Sequence, residues 1–130
     1  MRQLAKGRKA HLQLGVFGED TAVRLLECKG YRILARNFRL KSGELDIVAL
    51  DGTTVVFTEV KTRRQNRFAP GTNLSFRQLK RNCNTGRLYL ALFGISDVKS
   101  RYDLVEVTVD RKKHRRIVKL THSLDILMHP

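Results

Sequence analysis

Two β-branched runs meet at Asp51-Gly52, with "GELDIVAL" (43–50) before the pair and "TTVVFTEVK" (53–61) after it. Glycine supplies the positive φ that a two-residue turn needs, and Val, Ile, Thr and Phe suit a pleated, half-buried surface. The stretch predicts a β-hairpin. A hairpin alone cannot bury its apolar face, so further strands or a helix must pack on it. "YRILARNF" (31–38) alternates as a strand and leads into the turn "LKSG" (40–43).

The flanking segments supply the rest. Leu12, Val16, Val23 and Leu26 recur near a 3.6-residue period, predicting a helix from about His11 to Lys29 that Gly30 closes. Residues 1–10 read as a flexible basic tail on a single domain spanning 1–130. "TRRQNRFAPGTNL" (62–74) reads as an exposed basic loop. Ser75 with Gln78 forms a capping box opening a second helix through about Phe93. "RYDLVEVTV" (101–109) and "IVKLT" (117–121) predict strands around the basic turn "DRKKHRR" (110–116), and "SLDILM" (123–128) a short terminal helix. The order α-β-β-β-α-β-β-α predicts an α/β or α+β sheet flanked by helices.

Twenty-six Lys and Arg against twelve Asp and Glu leave a net charge of +14. Residues 61–101 carry ten of the basic residues and Asp97 as their only acid. Phosphate neutralisation with counterion release explains such an excess, so nucleic acid is the expected partner. No apolar run is long enough to span a bilayer and no apolar segment follows the basic N-terminus, so a cytoplasmic protein with no membrane partner is expected. Cys28 and Cys83 lack the clustering of a zinc site and read as reduced, partly buried thiols. The four histidines show no metal spacing, and no glycine-rich phosphate loop is present.

Against that basic background the hairpin carries Glu44, Asp46, Glu59 and Lys61. With Asp51-Gly52 as the turn, Leu50 pairs with Thr53, Glu44 with Glu59 and Asp46 with Phe57, which puts all four charged residues on one face. An even change in loop length preserves that parity, and a one-residue bulge breaks it. Three carboxylates so close repel unless a cation lies among them; Lys61 supplies one charge and a hard divalent ion the rest. A divalent ion beside such carboxylates is the equipment of phosphodiester hydrolysis. Glu19 lies on the apolar stripe of the first helix, between Val16 and Val23, and is aimed at the same cluster. The residues alone also admit a plainer reading. Glu44 and Asp46 would then face solvent on an edge hairpin, Glu59–Lys61 would be a surface pair, and Glu19 would sit at a helix start.

"GVFGEDTAVRLLECKGYRILARNFRLKSGELDIVALDGTTVVFTEVKTR" (15–63), with "GRLYLA" (86–91) and "RYDLV" (101–105), resembles the YraN-like family of small bacterial proteins taken to be endonucleases. That family is in turn similar to archaeal Holliday-junction resolvases. The resemblance implies a restriction-endonuclease-like fold with a central mixed five-stranded sheet. It implies a Mg²⁺- or Mn²⁺-dependent endonuclease acting on DNA, selective for branched structure rather than sequence, and by analogy a homodimer. Glu19, Asp46, Glu59 and Lys61 match its acidic positions and catalytic lysine, and Glu44 its recurrent "GE". Asp46, Glu59 and the Val60 carbonyl would hold the ion, with Glu19 direct or through water. Where the family commonly has a lysine at the start of the second helix, this chain has Gln78; Lys80 lies about 200° away around a helix. Arg63, Arg64, Arg67, Arg77, Lys80, Arg81 and Arg87 are the expected phosphate contacts. The alternative expectation is a nucleic-acid-binding protein that keeps the fold without the chemistry.

Overall fold

Tyr31 lies between the first helix and the sheet. In the computed structural model, which describes residues 2–65, 75–113 and 115–127 and side chains from residue 13 on, the first helix α1 runs Arg2–Cys28. Gly30 at φ 88° closes it, with the Gly30 N–H donating to the Glu27 carbonyl and the Tyr31 N–H to that of Leu26. Helical backbone thus reaches back to Arg2, where a flexible tail is expected from sequence. Residues 2–10 contain no proline and are mostly strong helix formers, so nothing local stops propagation.

The sheet contains β1 (Arg32–Leu40), β2 (Gly43–Asp51), β3 (Thr54–Arg64), β4 (Ser100–Val109) and β5 (Ile117–Ser123), and α2 (Phe76–Leu92) links β3 to β4. Strands lie in the order β1-β2-β3-β4-β5. The β3–β4 pair is parallel and the others antiparallel, giving the expected mixed five-stranded sheet, consistent with a nuclease-like fold. Only the connection through α2 is long enough for a parallel crossover. Ser75 caps α2 as expected, its Oγ accepting the Gln78 N–H at 3.3 Å.

The two helices cover opposite faces. Ala22 and Leu26 of α1 pack with Ile47, Ala49, Val56, Val105, Val107 and Val109. Leu79 and Tyr89 of α2 pack with Val48, Val55, Phe57 and Tyr102. Among the described residues no helix is long and apolar enough to cross a membrane. Cys83, on α2, is half-buried as expected, whereas Cys28 at the end of α1 is exposed rather than partly buried.

Three expectations are corrected. The tight turn is Gly52-Thr53, not Asp51-Gly52: Asp51 stays in the ladder opposite Thr54, its carboxylate 3.1 Å from Arg101 Nη2. Residues 62–64 belong to β3, because their backbone continues the parallel ladder with Val107, Thr108 and Val109; Arg67 and Pro70-Gly71 lie outside the described residues. No terminal helix forms over the described part of 123–128. Instead Asp125 takes φ 51°, its N–H goes to Asp103 Oδ1, and the Ile126 N–H goes to the Tyr102 carbonyl.

Candidate active site

β1 and β2 change face together at one point. Leu45 and Val48 both pack under α2, as do Ala35 and Phe38, while Ile47 and Ala49 lie under α1. Between those pairs sit Asp46 and, in the facing register gap, Asn37, whose φ is 54°. Asparagine tolerates this left-handed backbone better than other non-glycine residues. The β2–β3 ladder also ends at Ile47, and beyond it Asp46 Oδ2 accepts the Val60 N–H at 2.8 Å. The carboxylate takes over the role of a ladder carbonyl where the strands part. The gap so made opens the candidate site.

The resulting cleft, about 360 Å³, is lined by Glu19, Asn37, Glu44, Asp46, Val60 and Lys61 among others. Glu19 reaches it because α1 lies hard against β3: a Cβ added to Gly18 would fall 1.7 Å from Thr62 Oγ1. Glu19 Oε1 accepts from Asn37 Nδ2 at 2.9 Å and from Arg36 Nε at 3.1 Å, and Arg36 Nη2 also binds Asp20.

Glu59 lies behind the cleft. It is 5% exposed, and its Oε2 accepts long hydrogen bonds of 3.4 Å from Asn82 Nδ2 and Tyr102 Oη. Burial, reinforced by the Glu59 charge, pushes the Tyr102 phenol far up, so it remains a donor. Glu59 Oε1 lies 3.4 Å from Lys61 Nζ. The four charged hairpin residues therefore do not share one flat face. The kink at Asp46 interrupts the alternation, and Glu59 is packed under α2 while Asp46, Glu44 and Lys61 open to the cleft.

Electrostatics single out Asp46. Its carboxyl is pushed up to about 7, first by burial and then by Glu59, with Glu44 and Glu19 adding to the rise and the Val60 N–H opposing it. Glu19 pairs with Arg36, Glu59 with Lys61 and Glu44 with Arg39; among the described residues Asp46 alone of the four has no cationic partner. No three acidic, histidine or cysteine side chains among the described residues are arranged to hold a metal ion. A closed all-protein cage does not fit. An ion held by one or two carboxylates and completed by water and phosphate oxygens does, and that is the usual state of Mg²⁺. The hard oxygen donors Asp46 and the Val60 carbonyl, in a pocket of unbalanced negative charge, suit it.

Of the expected residues, the structure brings Glu19, Glu44, Asp46, Val60 and Lys61 to one cleft, with Glu59 against Lys61. Gln78, Arg77 and Arg81 line a neighbouring cleft instead. Lys80 is exposed and lines neither; Arg63 is half-buried and Arg64 exposed near the end of β3. Sequence reasoning missed Arg36, Asn37, Asn82 and Tyr102. Asn37 carries the one readable signal, an asparagine inside an alternating strand from which that residue type is depleted.

These features define an α/β protein with an acidic cleft opened by a kinked antiparallel pair. The profile of the uncharacterised protein family UPF0102, the YraN family, matches residues 18–107, and the chain belongs to that family. It is 44% identical over 96 residues to a UPF0102 protein of Symbiobacterium thermophilum, covering 73% of this chain and 81% of that one. A UPF0102 protein of Geobacter sulfurreducens is 39% identical over 114 residues, covering 87% and 89%. One from Mycolicibacterium vanbaalenii is 38% identical over 120 residues, covering 89% and 94%.

Proposed function

We propose that the protein is a metal-dependent endonuclease that hydrolyses phosphodiester bonds in DNA, selecting branched or junction structure rather than base sequence. The observation that carries this reading is the Asp46 carboxyl, raised to about 7 among three other acids and unpaired among the described residues. A site so charged is costly until a cation enters, and perturbed carboxyls in clefts mark functional groups.

Asp46 and the Val60 carbonyl would hold Mg²⁺ or Mn²⁺, with Glu59 close behind and Glu19 contributing through water. When bound, such an ion polarises the phosphate, activates water and offsets transition-state charge. Lys61 sets a positive charge at the cleft, where it positions the attacking water and meets the charge that builds on the phosphoryl oxygens. Its ion pair with the buried Glu59 fixes where that charge sits. Arg36 and Asn37 orient Glu19. Arg63, Arg64, Arg77 and Arg81 follow the phosphate backbone, and no base-reading motif accompanies them.

The test is cleavage of labelled duplex, single-stranded, flap and four-way-junction DNA with Mg²⁺ or Mn²⁺. Metal-dependent products are expected, most from branched substrates, with loss of activity in Asp46→Ala and Lys61→Ala. Failure of the wild type to cleave any substrate, or cleavage unaltered by both substitutions, overturns the reading. A second reading, a nucleic-acid-binding protein that keeps the fold without catalysis, is favoured by the engagement of Glu19 with Arg36 and Asn37. It predicts salt-sensitive DNA binding with no product.

A further inference from the structure

Beside the acidic cleft lies another of about 380 Å³, between the β1–β2 turn and the first turns of α2. Its cations come from both walls: Arg39 and Lys41 from the turn side, Arg77 and Arg81 from the helix, with Glu44 the only acid among the described residues of the lining. The walls are fixed to each other. Arg81 Nε donates to the Ser42 carbonyl at 3.2 Å, the Glu44 N–H donates to Asn82 Oδ1 at 3.1 Å, and the Ser42 and Thr85 hydroxyls are 2.6 Å apart. Gly43 makes this approach possible, since a Cβ there would fall 2.5 Å from Asn82 Oδ1.

Four cations facing one another across a narrow cleft repel, and their fields add in the space between them. The one internal counter-charge is weakly engaged: Arg39 Nη2 is 3.4 Å from each Glu44 oxygen, and the Arg39 side chain is 75% exposed. The positive end of α2 adds to the same potential. Glu44 lines both clefts, so the basic one opens beside the acidic one.

We propose that the basic cleft is a phosphodiester-binding subsite. It takes backbone phosphates of the same nucleic-acid strand next to the phosphate held in the acidic cleft, and Arg39 and Lys41 are phosphate contacts equal in weight to Arg77 and Arg81. This rests on the nucleic-acid reading above but not on catalysis. Gln78, also in the lining, is placed to donate to the phosphate rather than to act at the acidic cleft.

The test is binding of a short fluorescent DNA duplex by anisotropy in EDTA, across NaCl concentrations. Arg39→Gln/Lys41→Gln is compared with Lys112→Gln/Lys113→Gln, which removes the same charge from the exposed β4–β5 turn. Each lost phosphate contact lowers the slope of log affinity against log salt by about one. The cleft variant is expected to lose about two from the wild-type slope, and the turn variant close to none. Arg77→Gln, exposed on the opposite wall, is the independent arm and is expected to lose about one. Wild-type binding with equal slopes in both double variants overturns the subsite and leaves the nucleic-acid reading standing. No wild-type binding at low salt overturns both.

Discussion

Replacing Asp46 by Asn tests the electrostatics of the acidic cleft without any substrate. The Asp46 carboxyl titrates at about 7 in the folded protein against an ordinary 3.8, because it is buried beside Glu59. Between those two values the folded state binds the proton that the unfolded chain has released, so stability falls as pH rises through the window and levels off above it. Each pH unit of that difference is worth about 1.4 kcal/mol, which sets a ceiling of about 4 kcal/mol at alkaline pH. Asp46 is half-buried, and solvent screening brings the expected value to about 2–3 kcal/mol. Asn keeps a carbonyl oxygen for the Val60 N–H and carries no charge. In EDTA, Asp46→Asn is therefore expected to match the wild type near pH ~3.5 and to melt about 6–12 °C higher near pH ~8.5, at about 3–4 °C per kcal/mol for a chain of this size. Thermal unfolding followed by circular dichroism across that range is the assay. A difference in melting temperature that does not change with pH, or a variant less stable at alkaline pH, refutes the reasoning.

Gly18→Ala forces a Cβ onto Thr62, so it is expected to destabilise by about 1–3 kcal/mol despite the better helix propensity of alanine, and to lower cleavage by moving Glu19. Thr62→Ala in the same chain should recover part of the melting temperature, and an unchanged melting point for Gly18→Ala contradicts the close packing of α1 on β3. Asp103 is fully buried and accepts from Arg101 Nε, His122 Nε2 and the Asp125 N–H. Asp103→Asn leaves Arg101 with the more exposed Asp51 as its remaining counter-charge and is expected to cost about 3 kcal/mol in chemical denaturation, with DNA binding intact below the melting temperature; a loss under about 1 kcal/mol contradicts the role given to this network.

Much of the scaffold was legible because its determinants are local. Gly30 and Ser75 punctuate their helices as the capping rules require, and the β-branched runs around Gly52 form the hairpin. The turn slipped by one residue because Asp51 is held in the ladder by Arg101, a partner fifty residues away. The slip preserved the parity of the hairpin. The site itself was legible in its membership more than in its shape. Glu19, Asp46 and Lys61 meet as expected, but the parity argument assumed an unbroken ladder. A tertiary event breaks it: the Asp46 carboxylate replaces a backbone acceptor, and Asn37 adopts a left-handed backbone across from it. Asn82, Tyr102 and the basic cleft were out of reach for a similar reason, because they depend on α2 docking against a turn some forty positions earlier.

The central claim is that the charge gathered at Asp46 is arranged for a divalent cation. Electron paramagnetic resonance of Mn²⁺ titrated into the protein reads that directly. One bound ion per chain is predicted, tighter above pH ~7 than below it and lost in Asp46→Asn. Equal Mn²⁺ uptake by wild type and Asp46→Asn, or none by either, contradicts it.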